Sequence, residues 1–201
     1  MSEEGVIKFN CQWTRSAPLD EAWITELNAF RDKFYRLGLL GVKDGIGYGN
    51  ISARFRGNEF IITGSGTGTL QTLKSEHYAL VTDHDVSKNT ICSTGSIIAS
   101  SESLTHAMVY EQASDINAVI HAHHFKIWKN LLASLPSTAN DIEYGTPEMA
   151  NEIARLFNEH NLSRNKKFGM AGHYEGVVCF GKSLNDAAEI LLEELAKAQS
   201  S

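Results

Sequence analysis

The run Ala118-Val119-Ile120-His121-Ala122-His123-His124 constrains this chain more than any other stretch. In an extended strand alternate side chains share a face. Val119, His121 and His123 therefore point one way, and Ala118, Ile120 and Ala122 the other. Two imidazoles two residues apart on one strand face can grip a single divalent cation, and neutral imidazole is a common ligand for zinc and its neighbours. The chain thus carries a candidate metal site.

At 201 residues the chain fits one domain, 1–201, with 1–15 as an N-terminal arm or edge strand. A hydrophobic fraction of 42% is enough to bury a core. The formal net charge of −6 argues against a nucleic-acid surface. No basic block exceeds Lys166-Lys167, which argues against an anionic membrane, and no 20-residue apolar span is present. The start, Met1-Ser-Glu-Glu-Gly, is acidic and lacks the apolar core of a signal peptide. Cys11, Cys92 and Cys179 are odd in number, widely spaced and without a CxxC, so a reduced, cytoplasmic setting is expected.

Ser16-Ala17-Pro18 opens a helix, with Leu19, Trp23, Leu27, Phe30, Phe34 and Leu37 as its apolar stripe and Gly38 and Gly41 as its end. Strands at 50–55 and 59–63 flank Gly57-Asn58 as a hairpin. Further strands are predicted at 77–83 and 86–92, and a helix at 101–112 leads into the His-x-His strand. Helices follow from Trp128 to about Leu135 and from Pro147. The last strand region spans 167–180, and Ser183-Leu-Asn-Asp186 caps a final helix carrying Leu184, Ala188, Leu191 and Leu195. Strands enclosed by helices at both ends predict an α/β fold: a single three-layer α/β/α domain with a central, mostly antiparallel sheet.

Three further clusters surround the histidine pair in the sequence. In Ala99-Ser100-Ser101-Glu102-Ser103-Leu104-Thr105-His106, Ser101 can cap the helix and Glu102 falls in its first turn. A carboxylate there stabilises a helix N-terminus by roughly 0.3–1 kcal/mol. Beside a bound cation it can instead act as acid/base or as a ligand. Gly47-Tyr48-Gly49-Asn50-Ile51-Ser52-Ala53-Arg54 and Ile62-Thr63-Gly64-Ser65-Gly66-Thr67-Gly68 are glycine-punctuated. Such turns admit close ligand approach and free backbone N–H groups that bind anions. Neither has dinucleotide-fingerprint spacing, and neither holds the lysine of a P-loop.

In order and approximate spacing, Gly49-Asn50-Ile-Ser, Ile62-Thr-Gly-Ser-Gly, Ser100-Ser-Glu and Val119-Ile-His-Ala-His resemble the class II aldolase/adducin family. The resemblance runs from about Trp23 to Ala196. It implies the α/β/α fold and a homotetramer with sites between subunits. By position it implies His121 and His123 as ligands of Zn²⁺ or another divalent cation, and Glu102 as the catalytic carboxylate. It also implies Gly49, Asn50, Ser65, Gly66, Ser100 and Ser101 as the pocket for a substrate phosphate.

The family's third ligand lies in Asn-His-Gly at the start of the last strand, where this chain reads Gly172-His173-Tyr174-Glu175-Gly176. Glu175 occupies the usual histidine slot, and His173 stands two residues earlier. On an extended strand both share a face. His173 is favoured, since a bulge absorbs the offset and three histidines suit catalytic zinc; Glu175 is the alternative. His124 points to the opposite face, packed or bonded to a ligand from behind, and His106 sits one turn after Glu102, placed to orient it. His77 and His160 are expected at the surface, and His84 in a loop without a partner.

The resemblance implies a lyase that opens a C–C bond of a small ketose phosphate or related hydroxy-carbonyl compound. The cation would polarise the carbonyl and stabilise an enediolate while Glu102 shuttles a proton. The similar aldolases also use a tyrosine in a C-terminal tail, and this sequence has no tyrosine after Tyr174. Two other readings remain: a sugar-phosphate epimerase or dehydratase on the same scaffold, and an adducin-like interaction module without turnover.

Overall fold

The structure is a computed structural model, and it describes residues 5–200. An eight-stranded sheet runs through it, in the spatial order β1-β7-β6-β5-β4-β8-β10-β9. These strands are β1 (Asn10–Arg15), β4 (Asn50–Arg56), β5 (Glu59–Thr63), β6 (Tyr78–Asp85), β7 (Thr90–Gly95), β8 (Ala118–His123), β9 (Lys167–Gly169) and β10 (Gly176–Gly181). All neighbours are antiparallel except β1 and β7, which run parallel. A separate small hairpin joins β2 (Gly41–Lys43) to β3 (Ile46–Tyr48).

Among the described residues, six α-helices complete the fold: α1 (Glu21–Arg36), α2 (Ser103–Gln112), α3 (Phe125–Ser134), α4 (Pro147–His160), α5 (Leu162–Asn165) and α6 (Leu184–Ser200). They divide between the two faces of the sheet, as the core shows. One apolar cluster joins Val119, Val178 and Phe180 to Leu104 and Met108 of α2 and Met149 and Ile153 of α4. The other joins Ala118, Ile120 and Ala122 to Leu27 and Phe34 of α1, Ile127 and Leu131 of α3, and Leu191 of α6. The three-layer α/β/α arrangement with a mostly antiparallel sheet is therefore observed. No helix among the described residues is long and apolar enough to cross a membrane.

Several elements depart from the sequence reading for identifiable reasons. The first helix begins at Glu21, because the Asp20 carboxylate accepts from the Ala22 N–H at 2.9 Å and caps it there. Its buried face is Ile24, Leu27, Arg31 and Phe34. Trp23 is 45% exposed and tilts over Phe55 at a ring separation of 4.6 Å, and Leu37 is also exposed. The strand expected at 86–92 starts at Thr90: the Asp85 carboxylate accepts from Ser87 Oγ and Lys88 N, closing a turn that Asn89 leaves at φ 49°. The region 167–180 is two strands, β9 and β10, with a turn between them that carries His173. The expected arm at 1–15 is edge strand β1 from Asn10 onward; its residues 1–4 lie outside the described residues.

Beneath α2, Ser52 Oγ lies 2.7 Å from both His106 Nδ1 and Tyr110 Oη. Arg54 closes this network from the side, donating through Nε to the Ile116 carbonyl and through Nη2 to that of Tyr110. Burial pushes the His106 imidazole down to about 3, so it stays neutral in the fold. An unfolded chain protonates that histidine near pH 6.5. Below pH 6.5 the unfolded state therefore binds the extra proton, and stability falls on acidification at about 1.4 kcal/mol per pH unit for this one group. His106→Asn is expected to flatten the acid limb of denaturant-measured stability between pH 6.5 and 4, and an unchanged slope would contradict the buried neutral state. Ile120 of β8, fully buried beneath the α1/α3/α6 layer, gives a second check. Ile120→Ala should cost about 2–5 kcal/mol in urea unfolding.

Candidate metal centre and anion pocket

β8 is the spine of the site. It pairs with β4 on one side, Asn50 opposite His121, and with β10 on the other, Val178 opposite His121 and Gly176 opposite His123. This register sets both imidazoles on the α2/α4 face. The strand then ends at once: His124 leaves the ladder, and its Nδ1 accepts from the Ile127 N–H at 3.3 Å to cap α3. Its role is thus helix capping at the strand end.

The third imidazole arrives from the β9–β10 turn. His173 N donates to the Met170 carbonyl, and Gly176 N to that of His173, which winds the turn tightly. Only glycine fits at 176, where a Cβ would stand 2.6 Å from His173 Cδ2. Tyr144, just before α4, meets the His173 ring edge-on at 4.7 Å. One ring nitrogen from each of His121, His123 and His173 falls within 4.8 Å of the others. The Nε2 atoms of His123 and His173 are 2.9 Å apart. Two nitrogens bound to one tetrahedral zinc stand about 3.3 Å apart, given Zn–N of about 2.0–2.1 Å.

Glu102 completes the cluster. It occupies the N-cap position of α2 but makes no side-chain capping bond. The cap is built instead around Ser100, whose Oγ accepts from the Glu102 N–H at 3.4 Å and whose carbonyl accepts from Ser103 Oγ. The carboxylate is thereby turned inward: Glu102 Oε1 lies 3.1 Å from His121 Nδ1 and 3.8 Å from His173 Nε2. All four side chains are buried, with exposures of 0% for His121, 8% for His123 and 2% each for His173 and Glu102.

Electrostatics here favour a cation over protons. Burial, and then the charges of His123, His173 and His106, hold the His121 imidazole well below the usual histidine range. It is therefore neutral at physiological pH, the form in which an imidazole can bind a cation. Its Nε2 is buried with no hydrogen-bond partner among the described residues, which is costly unless a ligand takes it. A set of three imidazoles and one carboxylate suits zinc and its divalent neighbours.

Glu175 faces elsewhere. It sits at φ 65°, and its Oε1 is 3.6 Å from Lys43 Nζ on the β2–β3 hairpin. His173 and Glu175 do not share a strand face, because neither lies on a strand. His106 spends its Nδ1 on Ser52, not on orienting Glu102. His84 belongs to β6, and its Nε2 is 2.7 Å from Glu111 Oε1.

A cleft adjoins the cluster. It brings together Gly49, Asn50, Ser65, Gly66, Ser100 and Ser101, the six residues singled out for a phosphate, with Glu102 on its wall. Gly47, Gly64, Thr67 and Gly68 line it too. Gly49 has φ 74°, and a Cβ there would meet the His121 carbonyl at 3.0 Å, so the β3–β4 join can only hug β8 as glycine. Among the described residues, no lysine or arginine lines this cleft. The amide of Asn50 also reaches the cluster, with Nδ2 3.4 Å from His121 Nδ1. That contact, the Tyr144 edge and Gly176 escaped the sequence reading; the strand pairing that makes Asn50 a neighbour of His121 is not visible in one strand's pattern.

The profile of the Class II Aldolase and Adducin N-terminal domain matches residues 32–128. An L-fuculose phosphate aldolase from Methanocaldococcus jannaschii is 31% identical over 176 residues, covering 74% of this chain and 82% of the relative. The solved L-fuculose-1-phosphate aldolase of Thermus thermophilus superposes with a TM-score of 0.65 at 21% identity, over 88% of this chain and 91% of that one. A sugar-phosphate aldolase from Thermotoga maritima gives 0.65 at 15% identity, over 89% and 92%. At such identities these two structures speak for the fold alone. With the profile and the curated relative, the chain belongs to the class II aldolase and adducin family.

Separate substitutions sort the third ligand position. His173→Ala should weaken binding of a divalent cation by at least the roughly 10–100-fold that loss of an outer partner costs. Glu175→Ala should leave it unchanged. Titration calorimetry with Zn²⁺ or Co²⁺ reads both, and the reverse ranking would contradict the geometry.

Proposed function

We propose that this chain is a divalent-metal-dependent aldolase-type lyase that cleaves a C–C bond of a small ketose phosphate. The observation that carries this reading is the convergence of His121, His123 and His173 with Glu102 at the edge of a glycine- and serine-lined cleft. The M. jannaschii relative, an L-fuculose phosphate aldolase by name, supports a phosphorylated sugar as the substrate class.

His121, His123 and His173 would hold the cation, taken here as Zn²⁺. When bound, it supplies a Lewis acid for the negative charge that develops on the substrate oxygens. The chain's own groups do the rest. Ser65, Gly66, Ser100 and Ser101, with Gly49 and Asn50, receive the phosphate and fix the carbonyl end of the substrate toward the cluster. Glu102, the carboxylate shared by cluster and cleft, would take the proton of the hydroxyl that becomes the released aldehyde as the C–C bond opens, and give it to the carbon left behind, so that no proton is gained or lost overall. Its buried, water-poor setting strengthens each of these interactions. The reading includes a homotetramer in the cytoplasm, and light scattering after gel filtration checks the assembly.

A retro-aldol screen over ketose 1-phosphates, with a coupled assay for the released aldehyde, tests the function. One substrate should turn over in the metal-loaded protein, and Glu102→Gln should lower kcat by roughly 10²–10⁴-fold while metal content stays. No turnover across the screen would sink the lyase reading. Turnover unchanged in Glu102→Gln would remove that carboxylate as the proton carrier.

A further inference from the structure

Arg31 is 1% exposed, the largest fully buried side chain of the fold, and it takes no part in the chemistry described above. It projects from the middle of α1 into the back of the segment that follows Gly66. There Nη1 donates to the Gln71 carbonyl at 2.7 Å, and Nη2 donates to the carbonyls of Thr67 and Leu70. The ring of Tyr35 lies against the guanidinium at 4.5 Å, and Asp32 Oδ1 is 3.5 Å from Nη1. One residue thus gathers three backbone carbonyls that belong to neither a strand nor a long helix. Asn28, one turn earlier on α1, adds a fourth tie by donating to the Leu73 carbonyl.

The gathered segment is one wall of the cleft. Thr67 lines the cleft, and its carbonyl is bonded to Arg31. Gly68, also a lining residue, is wedged between Arg31's loop and the β2–β3 hairpin, where a Cβ would meet the Gly41 carbonyl at 2.6 Å. With its carbonyls drawn back toward α1, the segment cannot turn them into the cleft, where they would repel an anion. The guanidinium, its charge offset in part by the half-buried Asp32 carboxylate 3.5 Å from Nη1, stands directly behind a wall that contains no lysine or arginine. In a buried setting such a charge is weakly screened and acts through the loop. Burial costs a lone guanidinium several kcal/mol unless its donors are satisfied.

We propose that Arg31 is the positioning residue of the anion pocket: it orders the Ser65–Gly68 wall and sets the positive potential that selects an anionic group. This rests on the reading of the cleft as a phosphate pocket. The test uses the full-length protein, inorganic phosphate as the probe and Co²⁺ as a second, independent ligand. Arg31→Lys keeps the charge but loses the fork of donors, and Arg31→Gln loses both. Phosphate affinity, read by ³¹P NMR titration, should fall about tenfold or more in Arg31→Gln and by less in Arg31→Lys. Co²⁺ affinity should stay as in the wild type, because the three histidines are held by β8 and the β9–β10 turn and not by this loop's carbonyls. A merely structural arginine would lower thermal stability and move both ligands together, or neither. Arg31→Lys, the milder change, is read even where Arg31→Gln fails to fold. Phosphate binding retained in a folded Arg31→Lys and Arg31→Gln would overturn the proposal and leave the pocket standing. Failure of the wild type to bind phosphate would instead overturn the pocket reading, and the proposal with it.

Discussion

The pairing of β8 with strands on both sides is the constraint on which the rest of the site depends. His121 stands opposite Asn50 of β4 and opposite Val178 of β10, and His123 opposite Gly176. Every residue of β8 is buried. Because side chains alternate, a slip of one residue would carry both imidazoles into the α1/α3/α6 layer. Ala118, Ile120 and Ala122 prevent that slip, since they fill the apolar layer on the other face. The same hydrophobic force that closes the core therefore aims the two histidines.

Holding three imidazoles together away from water is unfavourable for protons. Desolvation and mutual repulsion keep His121 neutral, so its nitrogen is ready for a cation. The fourth group comes from a different part of the chain by a different device. Ser100 makes the bonds that cap α2, and Glu102, relieved of capping, turns its carboxylate to His121 and His173. Strand register supplies two of the four groups, a helix start the third and a tight glycine turn the fourth.

Much of this was legible in the sequence where it depended on local pattern. The alternation of Val119, His121 and His123 gave the strand face, the Pro147 and Ser183 starts gave two helices, and the Gly57-Asn58 hairpin stands where it was expected. Failures came where a long-range contact or a turn decided. Trp23 fits a helical stripe by spacing, yet the buried face is shifted to Ile24 and Arg31, and Trp23 lies out over Phe55. An arginine within an apolar stripe gives no local sign that distant carbonyls of residues 67–71 await it. His173 and Glu175 share a face only on the assumption of a strand; the positive φ of Glu175 and the bond from Gly176 N to the His173 carbonyl make a turn instead. The six cleft residues expected to take a phosphate come from three separate stretches of chain, and family resemblance, not periodicity, brought them together.

X-ray absorption on the metal-loaded protein reads the proposed coordination shell itself. With Zn²⁺ bound at one equivalent, the account predicts three imidazole nitrogens at about 2.0–2.1 Å with oxygen completing the shell. In the His123→Ala variant one imidazole contribution should disappear. A shell with sulfur at about 2.3 Å, or with fewer than three imidazoles in the wild type, would contradict a centre built on His121, His123 and His173.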